Sequence, residues 1–75
     1  MFERKIKLNP EDVKGFVAAA AKCDFDVDVT YNRVVIDAKS ILGVLGMDLS
    51  RVLTVRCFGY DQDFDRTLKA YALAC

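Results

Sequence analysis

The chain has 75 residues. That is enough for one domain over 1–75, and a chain this short buries only roughly 60% of its unfolded surface, so its core must use most of its apolar side chains. Hydrophobic residues make up 53% of it, which excludes an intrinsically disordered chain. Eleven basic residues balance eleven acidic ones, scattered singly, so no basic stripe is available to neutralise phosphates and no nucleic-acid partner is expected.

The opening, Met1-Phe2-Glu3-Arg4-Lys5, leads into no apolar run, so no secretion signal is expected. The longest apolar run, Phe16 to Ala21, is far short of the roughly 20 residues of a membrane span, so no membrane partner is expected either. Cys23, Cys57 and Cys75 are odd in number and lack metal-ligand spacing. They read as reduced thiols of a cytoplasmic protein, Cys23 and Cys57 as small core residues and Cys75 as the one open to oxidation between molecules.

Phe2 to Leu8 has apolar residues at 2, 6 and 8 and charge at 3, 5 and 7, a period of two that predicts a half-buried strand. Asn9-Pro10 predicts a helix start, with Glu11 and Asp12 at the positive end of the helix dipole. Val13, Phe16, Val17, Ala20 and Ala21 then form an apolar stripe at helical spacing. Phe25 to Tyr31 alternates again, with Asp26, Asp28 and Thr30 on the wet side. Asn32-Arg33 predicts a hairpin turn, although arginine tolerates positive φ poorly. Val34 to Ile36 is a short third strand. Asp37 to Met47 holds a compact helix with Ser40 as N-cap. After a connection over Leu49–Arg51, Val52 to Phe58 is a fourth strand, with Leu53, Val55 and Cys57 on one face and Gly59 ending it. Asp61 caps a last helix whose stripe is Phe64, Leu68, Tyr71, Ala72 and Cys75. The order βαββαβα, with strands wet on one side, predicts an α+β open-faced β-sandwich. Four antiparallel strands carry three helices on one face.

The block Ala38-Lys39-Ser40-Ile41-Leu42-Gly43-Val44-Leu45 resembles the start of the second helix in the HPr family, the histidine-containing phosphocarriers of the bacterial sugar phosphotransferase system. Tyr31-Asn32 stands at the family's hairpin turn. Leu53-Thr54-Val55, then Gly59 followed by acids, resemble its last strand and helix start. The resemblance implies the spatial strand order 1-4-2-3. It also implies a Gly-x-His-x-Arg-Pro motif at the start of the first helix, where an imidazole takes the phosphoryl group. Here that loop is Leu8-Asn9-Pro10-Glu11-Asp12, and the chain contains no histidine. Glu11 and Asp12 would repel a phosphoryl group.

Ser40 is the sharpest remaining residue. The resemblance implies a serine that a dedicated kinase phosphorylates in many Gram-positive bacteria, changing partner choice; the plain reading is a helix cap, and the two are compatible. Ile41, Leu42, Val44, Leu45 and Met47 crowd one short helix, which can bury only part of its circumference. Val44 and Met47 share one face by spacing. The resemblance implies that Ile41, Leu42 and Leu45 form an exposed partner-docking patch; deeper burial is the alternative. Asp61, Asp63 and Asp65 lack the glycine turn and distal glutamate of a calcium loop, so no metal or other cofactor is expected. Asp24, Asp26 and Asp28 fit a solvated strand face, paired with Lys5, Lys7 or Arg56.

These readings lead to a divergent HPr-like regulatory or adaptor protein, not an enzyme. It would work by contact with protein partners such as phosphotransferase-system components or a serine kinase. The alternative is an HPr-like fold kept as a structural or assembly subunit unrelated to sugar uptake. Histidine phosphotransfer is the weakest reading.

Overall fold

Strand alternation is what decides where the helices go. The computed structural model describes residues 1–72, so the expectation for Cys75 lies outside the described residues. Four strands form one antiparallel sheet: β1 (Phe2–Ile6), β2 (Val27–Tyr31), β3 (Val34–Asp37) and β4 (Leu53–Cys57), in the spatial order β1-β4-β2-β3. The register puts Ile6 opposite Leu53, Val29 opposite both Val55 and Ile36, and Val27 opposite Cys57. Directly opposed residues share a face. One face is therefore apolar except for Arg4, which lies opposite Val55, and the other carries Glu3, Lys5, Asp28, Thr30, Thr54 and Arg56.

Three helices cover the apolar face: α1 (Val13–Ala21), α2 (Ile41–Leu45) and α3 (Gln62–Tyr71). α1 is entered through a 3-10 turn over Pro10–Asp12, in which the Asp12 carboxylate accepts from the Asn9 N–H at 3.0 Å. Val13, Phe16, Val17 and Ala20 of α1 are buried, while Ala21 falls off the stripe and is exposed. Phe64 and Leu68 of α3 meet them, with the Phe16 and Phe64 rings 6.1 Å apart. The seven residues expected in the core on stripe grounds, Phe16, Val17, Val27, Val29, Val55, Phe64 and Leu68, are all buried.

Most elements are shorter than the alternation suggests, although β3 runs one residue further, to Asp37. β1 stops at Ile6, where the chain turns to meet the end of α3: the Lys7 N–H donates to the Tyr71 carbonyl at 3.1 Å, and Leu8 is still buried. β2 begins at Val27 rather than Phe25, because the Phe25 ring turns aside to pack on Gly59. A Cβ on Gly59 would lie 2.5 Å from that ring, so no larger residue fits there. At the hairpin only Asn32 has a positive φ, 53°, which spares Arg33 the left-handed conformation. Cys23 and Cys57 are buried free thiols; burial raises both, Cys57 to about 11, so they stay protonated and inert at neutral pH.

The charged residues pair differently from the expectation. Arg56 lies 3.5 Å from Glu3, its cross-strand neighbour on β1, and none of Asp24, Asp26 and Asp28 forms an ion pair among the described residues. The pair that joins layers is Arg4–Asp65, at 2.8 Å. Asp65 is on the inward side of α3, only 8% exposed, and also meets Lys69 at 3.6 Å and the Tyr60 hydroxyl at 3.4 Å. The Arg4 guanidinium lies 5.1 Å from the centre of the Phe2 ring, which in turn packs edge-on against Tyr60. The hydrogen bond from Arg4 holds the Asp65 carboxyl below the ordinary aspartate value of 3.8, against the opposing effect of desolvation.

Two outcomes follow. Phe64→Ala or Phe16→Ala should lower the unfolding free energy by about 3–5 kcal/mol in denaturant titrations, much of the stability of so small a domain; a loss under about 1 kcal/mol would contradict the core assignment. The Asp65 pKa is lower folded than unfolded, so the stability it contributes is complete above the unfolded value near 3.8 and is lost as pH falls through the folded value. Asp65→Asn should therefore destabilise the protein at neutral pH and flatten the fall of its denaturation midpoint below pH 4 or so. Asp48, also lowered by hydrogen bonds from Ser50, contributes a background slope common to both proteins. An unchanged acid slope in Asp65→Asn would contradict the account.

Candidate functional site

α2 begins where β3 can no longer pair. The Asp37 carbonyl accepts from the Ser40 N–H at 3.0 Å and the Asp37 carboxylate from the Lys39 N–H at 2.9 Å, which turns the chain off the sheet edge. Ser40 stays extended, φ −104° and ψ 108°, and its hydroxyl oxygen accepts from the Gly43 N–H at 3.1 Å, an N-cap. The Lys39 ammonium donates to the Cys23 carbonyl at 3.0 Å and ties this turn to the end of α1. The helix is shorter than the expected Asp37–Met47, because residues 37–39 are spent on the turn and the Gly46 N–H already closes back on Leu42 and Gly43.

Gly43 fixes how close the helix lies. A Cβ there would come within 2.7 Å of Ile36 Cγ2 on β3 and 3.0 Å of the Ser40 hydroxyl oxygen. With α2 pressed down at Gly43, Val44 is fully buried and Met47 nearly so. The rest of the helix faces away: Ile41 is 45% exposed, Leu42 85% and Leu45 46%. Ile41 and Leu45 are one turn apart and Leu42 adjoins them, so the three form a continuous apolar surface with half-buried Ser40 at its N-terminal end.

The start of α1 offers no comparable chemistry. The Asn9 N–H is bonded to the Asp12 carboxylate, Glu11 is exposed beside it, and neither a histidine nor an arginine is present in the loop. The three acids near α3 are also committed: Asp61 accepts from the Phe64 N–H at 2.8 Å as the N-cap, Asp63 lies 3.9 Å from Arg66, and Asp65 is held by Arg4. Beside them, a surface hollow lined by Ala19, Lys22, Asp61, Asp63, Phe64 and Thr67 contains one hydroxyl, and Thr67 donates it to the Asp63 carbonyl at 3.2 Å. No helix among the described residues is long and apolar enough to cross a membrane.

Some exposed apolar groups escaped the sequence reading. Val34 and Val35 on β3 are both exposed, as are Phe58 and Tyr60 after β4. The signal for β3 was present: Val34-Val35-Ile36 does not alternate, so a strand with one wet face must turn one of these side chains to water.

No family model matches the chain, and no curated protein matches it. Among solved structures, the crystal structure of a phosphocarrier protein HPr from Bacillus anthracis str. Ames is similar over 96% of this chain and 96% of that one, with a TM-score of 0.71 and 20% sequence identity. The four-stranded antiparallel sheet, its three helices and their βαββαβα order therefore make the HPr-like open-faced sandwich.

Proposed function

We propose that this protein is a divergent HPr-like regulatory or adaptor module, related to the phosphotransferase system, that works by protein–protein contact and carries no phosphoryl group on histidine. The observation that carries the reading is the outer surface of α2. Ile41, Leu42 and Leu45 are exposed and adjoin one another, while Val44 on the same helix is fully buried. Exposed apolar side chains that adjoin one another suit an interface. The absence of histidine from the sequence and the bonding of Asp12 at the start of α1 support the loss of phosphocarrier chemistry.

Ser40 is the proposed switch. Its hydroxyl borders the patch and already contacts the Gly43 N–H. A phosphate there adds roughly two negative charges beside an apolar surface, favouring a partner with a basic rim and disfavouring an acidic one.

The test is incubation with the phosphoenolpyruvate-dependent kinase and the serine kinase that the resemblance to the HPr family implies. The phosphoenolpyruvate-dependent kinase should leave no acid-labile phosphate. The serine kinase should add one phosphate, and Ser40→Ala should abolish it. Leu45→Asp should keep the circular dichroism spectrum and unfolding midpoint close to wild type yet weaken binding to a phosphotransferase component by roughly tenfold or more, as loss of an interface anchor does. Binding that ignores Leu45→Asp, or an unfolded Leu45→Asp protein, would contradict the reading.

A further inference from the structure

The sheet ends in two edges, and the chain treats them differently. β1 carries Glu3, Arg4 and Lys5 in succession, the kind of charged edge that resists pairing with another strand. Its end is also covered: Lys7 bonds to Tyr71, and Ile6 bridges Ala72. β3 is barer, with Asp37 at its end as its one charge. Beyond β2, no strand or bridge among the described residues pairs with it, and Val34 and Val35 are 47% and 56% exposed.

The hairpin determines which backbone groups this edge offers. The Ala38 N–H donates to the Val27 carbonyl at 2.9 Å. Bonded and non-bonded pairs alternate along an antiparallel ladder. Val29↔Ile36 and Tyr31↔Val34 are therefore bonded pairs, and Val35 turns its N–H and carbonyl outward, as Asp37 does its N–H. The carbonyl of Asp37 is already taken by the Ser40 N–H.

The charges on this edge are unbalanced within one molecule. Asp37 lies directly opposite Asp28, and like charges so placed repel. No cation pairs with either among the described residues, because Arg56, across from Asp28 on the far side, sits against Glu3. Exposed Arg33, two residues before Val35, is likewise without an ion-pair partner among the described residues, and Asp37 is two residues after Val35.

We propose that β3 is a self-association surface, on which a second copy of this chain pairs its own β3 antiparallel, Val35 opposite Val35, so that two four-stranded sheets continue into one. Each Val35 N–H then donates to the Val35 carbonyl of the other copy. Each Asp37 faces Arg33 of the other copy, which supplies the countercharge that the Asp28–Asp37 row lacks. Val34 and Ile36 meet across the seam on the helix side. The contact is isologous and closes at two copies. It is small, so its affinity falls in the micromolar to millimolar range. It rests on β3 alone and is independent of the role proposed for α2.

Sedimentation velocity on the full chain, from micromolar to millimolar concentration, tests this. A reversible monomer–dimer equilibrium is expected. Val35→Pro removes an N–H that β2 does not use and should abolish the dimer while the fold persists. Arg33→Asp and Asp37→Arg, each alone, place like charges in both cross-strand pairs and should weaken the dimer by roughly tenfold or more. Mixed in equal amounts, the two variants complement each other in both pairs and should dimerise again. A wild-type chain that stays monomeric throughout, a dimer indifferent to these changes, or a mixture that fails to recover would overturn the proposal. The charge variants decide the matter even if Val35→Pro does not fold.

Discussion

β2 and β4 form the centre of the sheet, and their two-residue alternation turns Val27, Val29, Leu53, Val55 and Cys57 onto a single face, all of them buried. Every other element answers to that face. α1 and α3 supply Phe16, Val17, Phe64 and Leu68 to cover it. The opposite face stays polar, with Thr30, Thr54, Lys5 and Arg56 along it. The short loops follow: each helix must return to the same side of the sheet it has just left. The Arg4–Asp65 pair then fixes α3 to β1 by a charge-assisted hydrogen bond, with Phe2 and Tyr60 packed edge to face beside it.

α2 is the element this arrangement leaves least constrained. α1 and α3 cover the middle of the sheet, and α2 has only the β3 side and a flank of α1 to rest on. It makes contact through one buried side chain, Val44, and through the bare backbone at Gly43, where Ile36 leaves no room for a Cβ. A helix of five residues seated this way exposes whatever stands at its other positions. Polar residues there would be harmless, yet the chain has Ile41, Leu42 and Leu45. That choice gives the outer surface of α2 its functional reading, since nothing in the packing of the core calls for apolar residues there.

Much of this was legible in the residues. Alternation gives the strands Val27–Tyr31 and Leu53–Cys57, and Phe2–Ile6 apart from Arg4, while helical stripes at Phe16/Val17 and Phe64/Leu68 give the two long helices. Asp61 and Ser40 were legible as caps because each is a short polar side chain placed just before apolar residues at helical spacing. What was not legible depends on distance in sequence. Arg4 and Asp65 are 61 residues apart, and nothing in the local pattern marks Asp65 as the inward-facing acid among Asp61, Asp63 and Asp65. The shortened β2 depends on Gly59 receiving the Phe25 ring, again a contact between remote segments. Which apolar residues of α2 face outward was settled by the close approach at Gly43, and helical spacing alone offers several faces.

The central proposal is that the outer surface of α2 stands outside the core, so that its apolar residues serve contact rather than stability. The most direct measurement is the unfolding free energy of Leu42→Glu beside that of Val44→Ala. The first puts a charge on the most exposed residue of α2, and the second removes two methyl groups from the fully buried one. The account predicts a change within about 0.5 kcal/mol for Leu42→Glu and a loss of about 2 kcal/mol or more for Val44→Ala. A Leu42→Glu protein destabilised as much as Val44→Ala would contradict it.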